Sequence, residues 1–115
     1  MNMQNLNTVE YGDTEGLQVF LFENALQHSL YKTAFFENGL VTPSYNLFDV
    51  EIENLDDWML PHQQEHQAFS SYLGLQNPIN LLDMNWNDED QFYDWLSSHY
   101  YIHVQIAASL GLQNV

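Results

Sequence analysis

Four of the five histidines occur as two pairs at four-residue spacing, His62/His66 in HQQEH and His99/His103 in HYYIH. On a helix that spacing places both imidazoles on one face, and two such helices supply four nitrogens for a zinc site. Glu65, next to His66, and Glu23, further up the chain, are carboxylates available as supplementary ligands. The zinc-protease pattern is not met: HExxH needs Glu directly after the first histidine, where this chain has Gln63 and Tyr100. A histidine in an apolar stripe also serves as a packing residue, its ring buried and one nitrogen given to a carbonyl or carboxylate. From the sequence that core or interface role is preferred for His28, His62, His66, His99 and His103, with no cofactor. Zinc on His62, His66, His99 and His103 stands as the alternative.

Other chemistry is less well supported. Asp83, Asn85, Asn87, Glu89, Gln91 and Asp94 have the oxygen-ligand spacing of a calcium loop, but the glycine at its sixth position is missing and its twelfth is Asp rather than Glu. A helix cap with an acidic first turn accounts for Asp88, Glu89 and Asp90 more simply, so calcium ranks below zinc. The carboxylates cluster in polar runs at 49–57 and 83–94, whereas a general acid needs an apolar setting. No G-x-S-x-G elbow and no glycine-rich phosphate loop is present. The expectation is a protein that is not an enzyme.

The elements that must position these histidines form a repeat. Trp58, His62, His66 and LGLQ recur 37 residues later as Trp95, His99, His103 and LGLQ. At an offset of 75, Leu17, Phe20, Leu21, Asn24, His28, Tyr31 and Phe35 fall on Phe92, Trp95, Leu96, His99, His103, Ile106 and Leu110. The first copy keeps one histidine and has Asn24 in place of the other, a departure that weighs against a metal role shared by all three copies. The predicted fold is all-α: a compact three-helix domain of three degenerate repeats of about 37 residues, with short extended connectors. Its helices are expected at 14–38, 57–73 and 88–110, within a single helical domain at 13–115 preceded by an arm and first connector at 1–12. Asp13 is the expected cap of the first helix, Gly39 its stop. Pro61 predicts that the second helix starts late or kinks, and Gly74 with Asn77-Pro78 predicts its end. Asn87 with Asp90 is the expected cap of the third helix, which Gly111 closes. Val9-Glu10-Tyr11, Val50-Glu51-Ile52 and Met84-Asn85-Trp86 read as the extended pieces. Three copies without polar end units predict closure into a bundle rather than an open solenoid.

Composition bounds the partners. Sixteen acidic residues face one lysine, for a formal net charge of −15. Such a field repels nucleic-acid backbones and anionic membranes and favours basic protein surfaces, or simply keeps an aromatic-rich chain dissolved. There is no cysteine, so disulfides and thiol chemistry are excluded, and no apolar run is long enough for membrane insertion. A standard secretion signal is not expected. Trp58, Trp86 and Trp95 are candidate core or interface residues, Tyr93 is a contact residue, and Glu89 belongs to a candidate acidic docking face.

The run YDWLSSHYYIHVQIAASLGL, with His28, Trp58, His62, His66, Trp95, His99 and His103, resembles short acidic proteins encoded among the virion-structure genes of tailed bacteriophages. The likeness spans residues 17 to 112, with Asn24 departing from the paired-histidine pattern. It implies a non-enzymatic structural or assembly component of the particle, found in the virion and, during assembly, in the host cytoplasm. Its partners would be other virion or basic proteins, or a second copy of the chain. A DNA-mimicking anti-defence or regulatory protein is the alternative reading, and a histidine-rich metal-binding protein or metalloenzyme the second.

Overall fold

Each helix begins at an aspartate or an apolar anchor and ends before a glycine. The computed structural model describes residues 9–42, 55–75 and 87–112. These form α1 (Thr14–Glu37), α2 (Leu55–Leu73) and α3 (Glu89–Ser109), and among the described residues no strand occurs. The all-α, three-helix expectation holds. Trp86, Asn77-Pro78, the two later extended pieces and the first four residues of the calcium-like loop lie outside the described residues.

Asp13 caps α1, its Oδ1 accepting from the Gly16 backbone N–H at 2.9 Å. The cap of α3 is Asp88 rather than Asn87: Asp88 Oδ1 accepts from Gln91 N–H at 3.1 Å. Either side chain is a good acceptor, and the extended backbone at Asp88 decides between them. Gly39, Gly74 and Gly111, just past the three helix ends, all have positive φ, a conformation that closes a helix with little steric penalty only for glycine. In the register of the repeat α2 does start later than its counterparts, three residues before Trp58 where α1 and α3 start six before Phe20 and Trp95, but not late enough to put Pro61 in the first turn. α2 starts at Leu55, two residues before the expected 57, and Pro61 lies inside it. A proline in a helix interior forfeits one hydrogen bond and costs about 3 kcal/mol. Burial of Leu55, Trp58 and Met59 before it, and of Phe69 after it, offsets that loss.

The helices pack in matching register. Phe20 meets Trp95, and Trp58 meets Trp95, near the helix starts. Tyr31 meets Phe69, and Phe35 meets Phe69 and Tyr72, near the ends of α1 and α2. All three helices therefore run in the same direction, unlike an up-and-down bundle whose neighbours are antiparallel. Equivalent residues of α1 and α2 are 38 apart and those of α2 and α3 are 37 apart, so the repeat becomes a set of layers around one axis. Phe20, Trp58 and Trp95 form one layer; Tyr31, Phe69 and Ile106 form another; all six are buried. Between them lie two polar layers, Asn24/His62/His99 and His28/His66/His103, each residue of which has no exposed surface.

Candidate metal centre

A face that is aromatic at i, polar at i+4 and polar again at i+8 has the period of one side of a helix. Three such faces meet on the axis, so all five histidines of the chain converge there. One ligand nitrogen from each of His28, His62, His66, His99 and His103 lies within 4.8 Å of every other. In the lower layer, His66 Nε2 is 3.1 Å from His28 Nε2 and 3.2 Å from His103 Nε2. In the upper layer, His62 Nε2 is 3.2 Å from His99 Nε2 and 3.2 Å from Asn24 Oδ1. The aromatic layer fixes two of these rings directly: Trp58 stacks on His62 at 4.2 Å and Trp95 on His99 at 4.6 Å between ring centres.

The outer nitrogens decide which atoms face the axis with a lone pair. His28 Nδ1 lies 2.9 Å from Glu65 Oε1, an obligate acceptor when ionised, so the ring donates there. Glu65 is itself buried and accepts from Lys32 Nζ at 3.2 Å. That ammonium is the only lysine or arginine charge the sequence contains. His103 Nδ1 lies 3.1 Å from the Tyr31 hydroxyl oxygen. The hydroxyl in turn reaches two carbonyl-type acceptors, Gln27 Oε1 at 3.1 Å and the His103 backbone oxygen at 3.2 Å. Assigning the hydroxyl hydrogen to one of those acceptors leaves Nδ1–H of His103 donating to the hydroxyl. Each neutral imidazole has one N–H, so in this assignment His28 and His103 both turn a bare Nε2 towards His66.

Burial holds the five rings neutral. The pKa of His66 is pushed down to about 3 by loss of solvation. Burial likewise lowers His28, His62, His99 and His103 well below the ordinary value, with neighbouring imidazoles adding to the effect. At His28 the Glu65 carboxylate favours a charged ring, but burial, two neighbouring imidazoles and Lys32 oppose it and prevail. Burial raises the Tyr31 hydroxyl, which therefore keeps its proton. Neutral imidazole is the form that binds metal.

The outer shell follows the repeat too. Glu65 precedes His66 and serves His28; Gln27 precedes His28, and its Oε1 lies 3.5 Å from His103 Nδ1. The third equivalent position is Ile102, which offers no hydrogen bond, and His66 Nδ1 has no partner among the described residues. His62 Nδ1 and His99 Nδ1 are likewise without one.

The residues singled out in the sequence divide as follows. His62, His66, His99 and His103 come together, and His28 joins them, so the loss of one histidine at Asn24 does not remove the first copy from the cluster. Glu65 sits behind His28 rather than at the centre, and Glu23 is half-buried and outside the cluster. Trp58 and Trp95 are 2% and 3% exposed, while Tyr93 and Glu89 are at the surface. Tyr93 is engaged there: its hydroxyl oxygen accepts from the Tyr11 backbone N–H at 2.9 Å. Sequence reasoning missed Asn24, Gln27, Tyr31 and Lys32 as parts of the site. For Asn24 the signal was present, because the repeat places it in the register of His99. No protein-family model, curated protein or solved structure matches the chain.

Proposed function

We propose that this protein binds one transition-metal ion in its interior through the imidazoles of His28, His62, His66, His99 and His103. One observation carries the reading: the Nε2 atoms face one another at distances that hydrogens alone cannot serve. His66 Nε2 has ring nitrogens on two sides, at 3.1 and 3.2 Å, and with the hydrogens of His28 and His103 assigned to Nδ1 both are bare. A hydrogen on His66 Nε2 serves one of them and leaves the other contact lone pair against lone pair. A cation on the axis accepts all of the nitrogens together. Neutral nitrogen donors suit zinc, copper, iron and nickel rather than calcium or magnesium. The Glu65 carboxylate behind His28 is the kind of outer partner that fixes a ring's tautomer and raises its basicity. A net charge of −15 attracts a cation and helps retain it.

The test is elemental analysis and thermal unfolding of the full chain, stripped and then offered Fe2+, Co2+, Ni2+, Cu2+ or Zn2+. Expected are one tightly held ion per chain and a rise in unfolding temperature that His66→Gln abolishes or greatly reduces. Free ion at a hundredfold over its Kd stabilises by about 2.7 kcal/mol. No stoichiometric binding of any of the five ions would refute the proposal.

An acidic docking module, such as a phage-particle component, is a second reading. Its support is the anionic composition and the exposed first turn of α3, where Glu89 and Asp90 lie close in sequence to Tyr93. It concerns the surface and is compatible with an ion inside.

A further inference from the structure

The cluster contains a donor besides the imidazoles. Asn24 has no exposed surface, and its Oδ1 points at the upper layer, 3.2 Å from His62 Nε2. Its other amide atom, Nδ2, is buried with no partner among the described residues. In the register of the repeat it stands where α2 has His62 and α3 has His99. Two three-membered tiers therefore surround the axis, each with one donor from each helix.

Resting on the metal-binding reading, we propose that Asn24 Oδ1 is the sixth donor. The ion is then six-coordinate between the tiers Asn24/His62/His99 and His28/His66/His103, a shell for an octahedral divalent ion of the Fe2+, Co2+ and Ni2+ group. Spacing fits this arrangement. Donors about 2.2 Å from one ion lie about 3.1 Å apart at right angles and about 4.4 Å apart across it. Within the tiers four donor separations are 3.1, 3.2, 3.2 and 3.2 Å, and the imidazole nitrogens all fall within 4.8 Å of one another. A zinc-type tetrahedron, with bonds of about 2.0 Å, spaces its donors about 3.3 Å apart, too close to these values to be distinguished by distance. The number of donors makes the distinction: a tetrahedron uses four and leaves one imidazole nitrogen and the Asn24 oxygen buried beside a charge without contacting it.

The proposed shell has a consequence for role. Catalytic ions keep a position open for water or substrate, whereas structural ions are closed off by protein donors. Six protein donors leave no such position, and the Phe20/Trp58/Trp95 and Tyr31/Phe69/Ile106 layers lie on either side of the two tiers. The ion would hold the three repeats together rather than act on a substrate.

Co2+ is the probe, because six-coordinate Co2+ absorbs weakly in the visible while tetrahedral Co2+ absorbs strongly and at longer wavelength. Wild-type protein loaded with Co2+ is expected to show the weak six-coordinate bands. Asn24→Asp, which keeps an oxygen donor, and Asn24→His, which completes the repeat, are expected to keep them. Asn24→Leu removes the donor at similar volume and is expected to give a five-coordinate spectrum. It should also lower Ni2+ affinity at least about tenfold, the lower end of what loss of even an outer-shell partner does. Circular dichroism establishes that each variant is folded, and X-ray absorption on the wild-type Ni2+ form counts its donors without any substitution. An intense tetrahedral Co2+ spectrum with four donors, unchanged in Asn24→Leu, would overturn the sixth-donor assignment while leaving metal binding intact. Failure of wild-type protein to take up Co2+ or Ni2+ would overturn this assignment, and the metal-binding reading falls as well only if Fe2+, Cu2+ and Zn2+ also fail to bind.

Discussion

Lowering the pH should unfold the metal-free protein well before its surface carboxylates titrate. An unfolded histidine takes up a proton near pH 6.5. In the folded chain all five rings are lowered, His66 to about 3, because burial excludes water and the rings crowd one another. Below pH 6.5 the unfolded state thus binds more protons than the folded state, and stability falls as pH falls. At pH 5.5 each ring held neutral removes about 1.4 kcal/mol, and five remove about 7 kcal/mol. A domain of this length is stable by roughly 6–17 kcal/mol at best conditions; the upper end of that range moves the midpoint of acid unfolding towards about pH 4, while a stability of about 6–10 kcal/mol places it near pH 5 to 6. Ordinary carboxylates titrate lower, near pH 4, and do not account for a transition there. Urea unfolding followed by tryptophan fluorescence between pH 7.5 and 5.5 measures the loss. In a folded variant such as His103→Gln, the slope should fall by one ring's share, about 1.4 kcal/mol per pH unit at the acid end. Unchanged stability over that range would mean that the imidazoles are already charged or solvated, and would sink the buried neutral cluster.

Further tests address the shells around the site. Glu65→Gln should weaken metal binding by about ten- to a hundredfold, since His28 loses a carboxylate partner, and Lys32 loses its charged one; titration with Ni2+ measures it, and unchanged affinity would discount the outer carboxylate. Ile102→Gln offers the position equivalent to Glu65 and Gln27 a hydrogen-bonding side chain, so metal affinity should rise if the third outer contact can form, and no gain in a folded variant would count against the threefold outer shell. Trp95→Ala removes a buried ring stacked on His99 and should cost roughly 3–5 kcal/mol in urea unfolding; a near-wild-type midpoint would discount the aromatic layer. Glu89→Lys, at an exposed first-turn position, should change stability by less than about 1 kcal/mol while weakening capture by an immobilised basic protein. Undiminished capture would remove Glu89 from the docking face.

Much of the fold was written locally. Asp13, Gly39, Gly74 and Gly111 mark helix boundaries through backbone hydrogen bonds and φ preferences that depend only on near neighbours. The repeat linking Trp58, His62 and His66 to Trp95, His99 and His103 identified one inward face per helix, because a helical period can be read from a single chain. Local signals were weakest where two adjacent residues offered the same chemistry, as Asn87 and Asp88 did for the third cap. They also misled where packing outweighed an intrinsic preference, as at Pro61, which sits within α2 because the residues on both sides of it are buried against the other helices.

How the three faces meet was not encoded at any one position. A repeat fixes the shape of each unit, but the angle between units decides whether they stack in a line or close on an axis, and that angle comes from side chains packing across helices. Parallel closure puts Asn24 with His62 and His99, and His28 with His66 and His103. Two histidine pairs and one leftover histidine thereby become a single buried cluster of five. The same closure sets the protonation of the rings: histidine at i and i+4 is readable in the sequence, but neutrality follows only once three helices have excluded water from all five imidazoles together.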